Sequence, residues 1–178
     1  MTEEIIKYDS DFTEATFLTK VDHIYMMILE SIMDKNLDEV KHYLSDEVYN
    51  QLNVFVDDYK SRNVTRIFNE TNVKTSNIVN YEIVDNKINI KVNLISRYMD
   101  YFIDEDGNFI SGVNDHRIEK NHTIVFTKRL DAKKLNEARP CPSCGHSLNI
   151  NESGICPYCK QIIDMSNYDY IVTYIDSI

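Results

Sequence analysis

The period of hydrophobicity changes once along this chain, and few folds accommodate the order in which it does so. In the first third, Val21, Ile24, Tyr25, Ile28, Leu29 and Ile32 recur at helical spacing. Asp11 with Glu14 has the form of a capping box, so a long helix is expected from Asp11 to about Lys35. Asn36-Leu-Asp-Glu39 repeats that form, and Val40, Tyr43 and Leu44 then mark one face of a short second helix. Ser45 is placed to cap a third, whose stripe is Val48, Leu52, Phe55, Val56 and Tyr59 and which ends near Ser61–Val64.

Beyond that point the period is two. Ile78, Tyr81 and Ile83 lead through a tight Asp85-Asn86 turn into Ile88–Ser96, where apolar and polar residues alternate. Tyr98–Ile103 continues that strand, with or without a bulge. Asp104–Asn108 is a second turn, Phe109–Val113 a short pairing strand, and His116–Leu130 a long one with Ile118, His122, Ile124 and Phe126 on alternate positions. A last strand is expected over Tyr168–Ile178, with Tyr170, Val172 and Tyr174 on one face. Helices segregated before an antiparallel sheet define an α+β domain, here a curved sheet wrapped on a long helix. The 178 residues suit one such domain over 10–178, with 1–9 as an N-terminal extension.

Between the last two strands lie the chain's four cysteines, as Cys141-Pro-Ser-Cys144-Gly and Cys156-Pro-Tyr-Cys159. Two C-x-x-C turns each aim two sulfurs at one point, and turn N–H groups can bond them, so the spacing reads as a paired-knuckle zinc site. Gly145 is suited to the positive φ such a turn needs, whereas Lys160 holds the matching place in the second. Two disulfides are the alternative. An acidic stretch over residues 1–10, with no apolar segment after it, argues against a secretory signal and hence against an oxidising compartment. Iron is the alternative metal. Four thiolates leave no open coordination position, so one structural zinc per chain, bound by Cys141, Cys144, Cys156 and Cys159, is expected to stabilise a ribbon over 139–165 inserted before the last strand. His146 is expected to lie outside the ligand set.

Charge narrows the partners. The net charge is −10, and residues 1–64 alone carry 14 acidic against 6 basic side chains. The short basic stretch Lys128, Arg129, Lys133, Lys134 and Arg139 is interrupted by acids, which argues against nucleic acid as a partner. An acidic helical face likewise disfavours contact with anionic lipid headgroups. No apolar run approaches the roughly 18 residues of a membrane span.

The order Phe17–Met33, then Asn36–Asp38 leading into Leu44-Ser-Asp-Glu-Val-Tyr49, then Thr123-Ile-Val-Phe-Thr-Lys-Arg129 and Cys141-Pro-Ser-Cys144-Gly-His-Ser-Leu148, resembles the bacterial, ribbon-containing branch of a known family. That family is the Tim-forty-four-like domain, named for the peripheral matrix subunit of the mitochondrial inner-membrane import translocase. The resemblance implies a cystatin-like, nuclear-transport-factor-two-like cone. It also implies a non-enzymatic scaffold that binds a partner protein or a small apolar ligand. Membrane association, known for the mitochondrial relative, is not favoured here, and a cytoplasmic location is expected. The wider superfamily includes ketosteroid-isomerase-like enzymes, so Tyr98, Asp100 and Tyr101 with His116 or His122 are the residues to weigh for acid–base chemistry. Strand-end charges are usually solvated and a lone inward histidine is usually hydrogen-bonded in a core, so no catalytic residue is assigned.

Overall fold

The computed structural model describes residues 2–132, 139–141, 143–148, 155–163, 165–176 and 178. A one-turn helix, α1 (Thr2–Ile5), precedes α2 (Glu14–Met33), a three-residue 3-10 turn (Lys41–Tyr43) and α3 (Asp46–Ser61). Long strands follow, β1 (Thr65–Val84), β2 (Lys87–Ile103) and β3 (Phe109–Arg129). Short β4 (Arg139–Pro140) and β5 (Ser147–Leu148) form a ribbon of their own, and a 3-10 turn at Met165–Asn167 leads into β6 (Ile171–Ile175). The main sheet is antiparallel and curved, in the order β1-β2-β3-β6. The ribbon is therefore inserted between two strands that pair directly.

Alternation explains the core. Ile88, Ile90, Val92 and Leu94 all point to one face of β2 and are fully buried. They meet Val21, Ile24, Ile28 and Leu29 of α2, which are at most 1% exposed. Each such side chain contributes roughly 1.5–3 kcal/mol through burial, so this seam dominates the stability of the domain. β6 is braced on its far edge as well. Leu44 bridges Val172, and the Ser45 N–H donates to the Val172 carbonyl at 2.8 Å just before the Ser45 hydroxyl caps α3 by accepting from Val48 N. Ile5, ahead of the long helix, is fully buried in the same core.

Several local expectations change. The N-cap of α2 is Thr13, in extended conformation with its hydroxyl accepting from Thr16 N, so the helix begins at Glu14 and Asp11 belongs to a turn. Asn36 closes an Asx turn onto Asp38 N and starts no helix; only the 3-10 turn follows, because Leu37, Val40, Tyr43 and Leu44 all bury as the chain turns. β1 starts at Thr65, well before Ile78, and Phe109–Arg129 is one strand. In β6, Val125 pairs with Tyr174 while Phe126 pairs with Val172, a bulge that buries Val172 and leaves Tyr174 half exposed. Among the described residues, no helix is long and apolar enough to cross a membrane.

Candidate metal centre and adjoining cleft

The four cysteine sulfurs lie within 4.8 Å of one another. Cys141 Sγ is 3.7 Å from Cys159 Sγ, and Cys144 Sγ is 3.8 Å from Cys156 Sγ. A disulfide would bring a pair to about 2.05 Å. A tetrahedral centre with metal–sulfur bonds of about 2.3 Å spaces its sulfurs about 3.8 Å apart, which is the separation found. The four thiols can therefore hold a metal ion.

Each knuckle is built from local backbone. Gly145 N–H donates to the Cys141 carbonyl at 2.8 Å and Lys160 N–H to the Cys156 carbonyl at 2.9 Å. Both donors have positive φ, 74° for Gly145 and 60° for Lys160, so the lysine accepts the conformation the glycine takes freely. The turns return to antiparallel contacts, Cys141 N to His146 O and Cys156 N to Gln161 O. N–H groups of Cys144 and Ser143 bond the Cys141 sulfur and hold its thiol below the ordinary range. At Cys156, burial opposes ionisation but is outweighed by N–H groups of Cys159 and Tyr158 and by neighbouring thiols, leaving it at about 6. Cys144 accepts an N–H from His146, yet burial and the surrounding thiols push it up to about 12. His146 stacks on Tyr158, with ring centroids 4.4 Å apart, and is not among the converging ligands.

A small apolar cluster backs the centre. Cys141, Cys156, Ile163, Met165 and Ile171 pack together, with Cys144 and Tyr168 at the margin. Ile171 is also the first residue of β6, paired with Thr127 of the main sheet. A cleft of about 640 Å³ lies beside it, walled by Tyr8–Phe12, the first turns of α2, the end of β3 and Tyr168–Tyr170. Asp9 Oδ2 accepts from Lys128 Nζ at 2.8 Å and from the Tyr170 hydroxyl at 3.1 Å. Burial, reinforced by the Asp9 charge, raises the Tyr170 pKa. Of the basic stretch, Lys128 is thus bound to Asp9 and Arg129 to Asp131, while Lys133 and Lys134 lie outside the described residues. No local pattern announces the Asp9–Lys128–Tyr170 trio, whose members are more than a hundred residues apart in part.

The residues weighed for acid–base chemistry do not converge. Asp100 is held by both Arg66 nitrogens at 2.8 Å. Tyr101 faces Phe109, and His116 is exposed against Asp115. His122 is fully buried, and the Asp176 carbonyl at 3.3 Å can only accept, so Nδ1 carries the proton. Nε2 then accepts from the Tyr25 hydroxyl at 2.9 Å, which itself accepts from Ser96 at 2.7 Å. Tyr25, Ser96, Tyr98 and His122 are all at most 1% exposed, so the interior of the cone is filled there by its own polar cluster.

No curated protein matches the chain in sequence. Among solved structures, the intermembrane-space region of the chloroplast protein ARC6 is similar at a TM-score of 0.45 and 5% identity, over 89% of this chain and 93% of that one. Residues 1–137, from α1 through the end of β3 and short of the cysteine ribbon, match the Tim44-like domain, and the chain belongs to that family.

Proposed function

We propose that this protein is a non-enzymatic scaffold, a Tim44-like cone over residues 10–178 that binds a partner protein or a small apolar ligand. Residues 1–9 are an extension strapped onto it, and the 139–165 ribbon is held by one structural zinc on Cys141, Cys144, Cys156 and Cys159. The observation that carries this reading is the filled interior: where a cone enzyme would open a substrate pocket, Tyr25, Ser96, Tyr98 and His122 close on one another. Binding falls instead to the outer cleft, whose size is that of a ligand or side-chain pocket. Thiolate ligands need a reducing compartment, which supports a cytoplasmic location. The acidic balance supports a protein partner over nucleic acid or an anionic membrane.

Native mass spectrometry of protein purified without chelator tests the reading in one spectrum. One zinc per chain without an organic adduct is the expected result. Cys156→Ser should lose the metal and His146→Ala should keep it. A stoichiometric organic adduct of reactive type, turned over on incubation, would contradict the scaffold assignment.

A further inference from the structure

The cysteine ribbon and the N-terminal strap are connected through the segment Met165–Ile171, which packs on the cluster behind the sulfurs and, at Tyr170, on the strap. Residues 2–12 are joined to the body by side chains. Among the described residues, their backbone–backbone hydrogen bonds are local: Lys7 N to Glu4 O, Tyr8 N and Asp9 N to Ile5 O, and Phe12 N to Asp9 O. Ile5 and Phe12 are buried, and Tyr81 donates to Glu4 at 3.3 Å. Asp9 is held in addition by Lys128 and the Tyr170 hydroxyl. The Tyr170 ring packs edge-on against Phe12 and Phe17, with centroids 6.2 and 5.1 Å away. Tyr170 thus clamps the Asp9–Phe12 end of the strap, while Ile5 is anchored separately in the main core.

What fixes Tyr170 is the segment running out of the ribbon. Asp169 N and Tyr168 N both donate to Met165 O at 2.9 Å, and Tyr170 N donates to Asp169 Oδ1 at 2.7 Å. The Asp169 carboxylate reaches Lys20 on α2. Met165, 1% exposed, is buried against Cys141, Cys156 and Ile163, and so is Ile171 on the far side of Tyr170. The two residues that bracket the clamp are therefore seated in the cluster that backs the four sulfurs. If metal is lost, the four converging thiols no longer share a cation, and this cluster loses what draws its two knuckles together. The seam between α2 and β2 contains no residue of that cluster and does not depend on it, whereas Phe12 and Tyr170 sit at the border of the two.

We propose that the cysteine centre is a latch on the N-terminal strap: metal at the four thiolates seats Met165 and Ile171, these hold Asp169 and Tyr170 in place, and metal loss releases residues 8–12 at the cleft while Ile5 stays seated in the main core. The inference rests on metal occupancy of the site. Release uncovers the rings of Phe17 and Tyr170, both buried when the strap is closed.

Hydrogen exchange of the full chain, zinc-loaded and chelator-stripped under reducing conditions, tests this with the zinc content of each sample measured alongside. Stripping should speed exchange at Tyr8, Asp9 and Phe12 by about tenfold or more while α2 amides from Val21 to Leu29 stay protected. Zinc removal with no change at those three amides overturns the latch but leaves the metal assignment standing. Failure of the protein to bind zinc at all overturns both. Equal acceleration in α2 also overturns the latch, since the effect is then global unfolding. Met165→Ala keeps every thiol and breaks the relay: zinc should be retained while the strap loosens, and an unaffected strap contradicts the route proposed.

Discussion

At the residue scale, the buried polar cluster under α2 sets the pH response. Burial holds the His122 pKa below its ordinary value, with the Asp176 carbonyl pulling weakly the other way. An unfolded histidine takes a proton near pH 6.5, so below that pH the unfolded state binds more protons and stability falls as pH drops. Between pH 7.5 and 5.5 the loss should be up to about 1.4 kcal/mol in urea denaturation, and His122→Gln, which cannot titrate, should lack that contribution. Tyr25→Phe removes the donor to Nε2 and should cost about 1–3 kcal/mol at pH 7.5. Asp22 is the converse case. Burial raises its pKa, against a bond from Ser76, and its Oδ1 has no hydrogen-bond partner among the described residues. Its charge is thus a cost above the folded pKa, partly relieved by solvent, and Asp22→Asn should raise stability modestly at pH 7, a gain that shrinks on acidification as the native carboxyl protonates. A denaturation midpoint unchanged at pH 7 would contradict that account. The cysteine site was legible because each knuckle is local and its turn chemistry is written in four or five consecutive residues. The Tyr25–Ser96–His122 contacts join positions 71 and 97 residues apart, and no local pattern pairs them; alternation showed only that His122 faces inward.

Elements were legible in proportion to how strictly they alternate. β2 keeps six successive even positions, Ile88 to Tyr98, buried on one face, and its period is unmistakable. β1 was half missed because it is an edge strand rich in Asn69, Asn72, Asn77 and Lys74, with register shifts after Asn69, Val73 and Ile78 that move the inward face each time. Those shifts and polar side chains also blunt an edge that would otherwise invite pairing with another chain. β3 read as two strands because Asn114–Arg117 bulge opposite Met99, so its period breaks while its pairing continues. Gly112 makes that irregularity possible. Its φ is +108°, and an added Cβ would lie 2.4 Å from the Asp100 carbonyl and 2.6 Å from Tyr101 Cα. Asp100 is the partner of Arg66, so the clash would be felt at a half-buried ion pair linking β1 to β2. Gly112→Ala should destabilise by about 2–4 kcal/mol, while Gly107→Ala, whose Cβ meets open space, should cost only the strain of its own φ of +82°, about 1 kcal/mol. Equal midpoints for the two variants would remove Gly112 from this role.

For the whole molecule, the question is whether the ribbon is a foundation or an attachment. Small zinc domains commonly have no fold without metal because their only core is the one the metal assembles. Here the two cores are distinct. The larger runs from Ile5 and α2 through α3 to β2, β3 and the Tyr170, Val172 and Ile175 side chains at the end of the chain, and the smaller holds the cysteines with Ile163, Met165 and Ile171. They meet along Tyr168–Ile171, where Lys20 grips Asp169 from the large side. The match to the family likewise ends at residue 137, before the first cysteine. Removing the metal should therefore leave the helical circular dichroism and the α2 and β2 amides intact, and lower the thermal midpoint by several degrees through fraying of β6 and loosening of the Tyr8–Phe12 stretch. A change of that size corresponds to roughly 1–2 kcal/mol for a domain of this length. Cys156→Ser should reproduce it without chelator. Cooperative loss of both cores on chelation, with no helical signal left, would mean instead that β6 is what closes the sheet on α2 and that the metal supports the entire cone. The structure favours the first outcome, because β6 pairs with only four residues of β3 and its other edge is already tied to Leu44 and Ser45 at the start of α3.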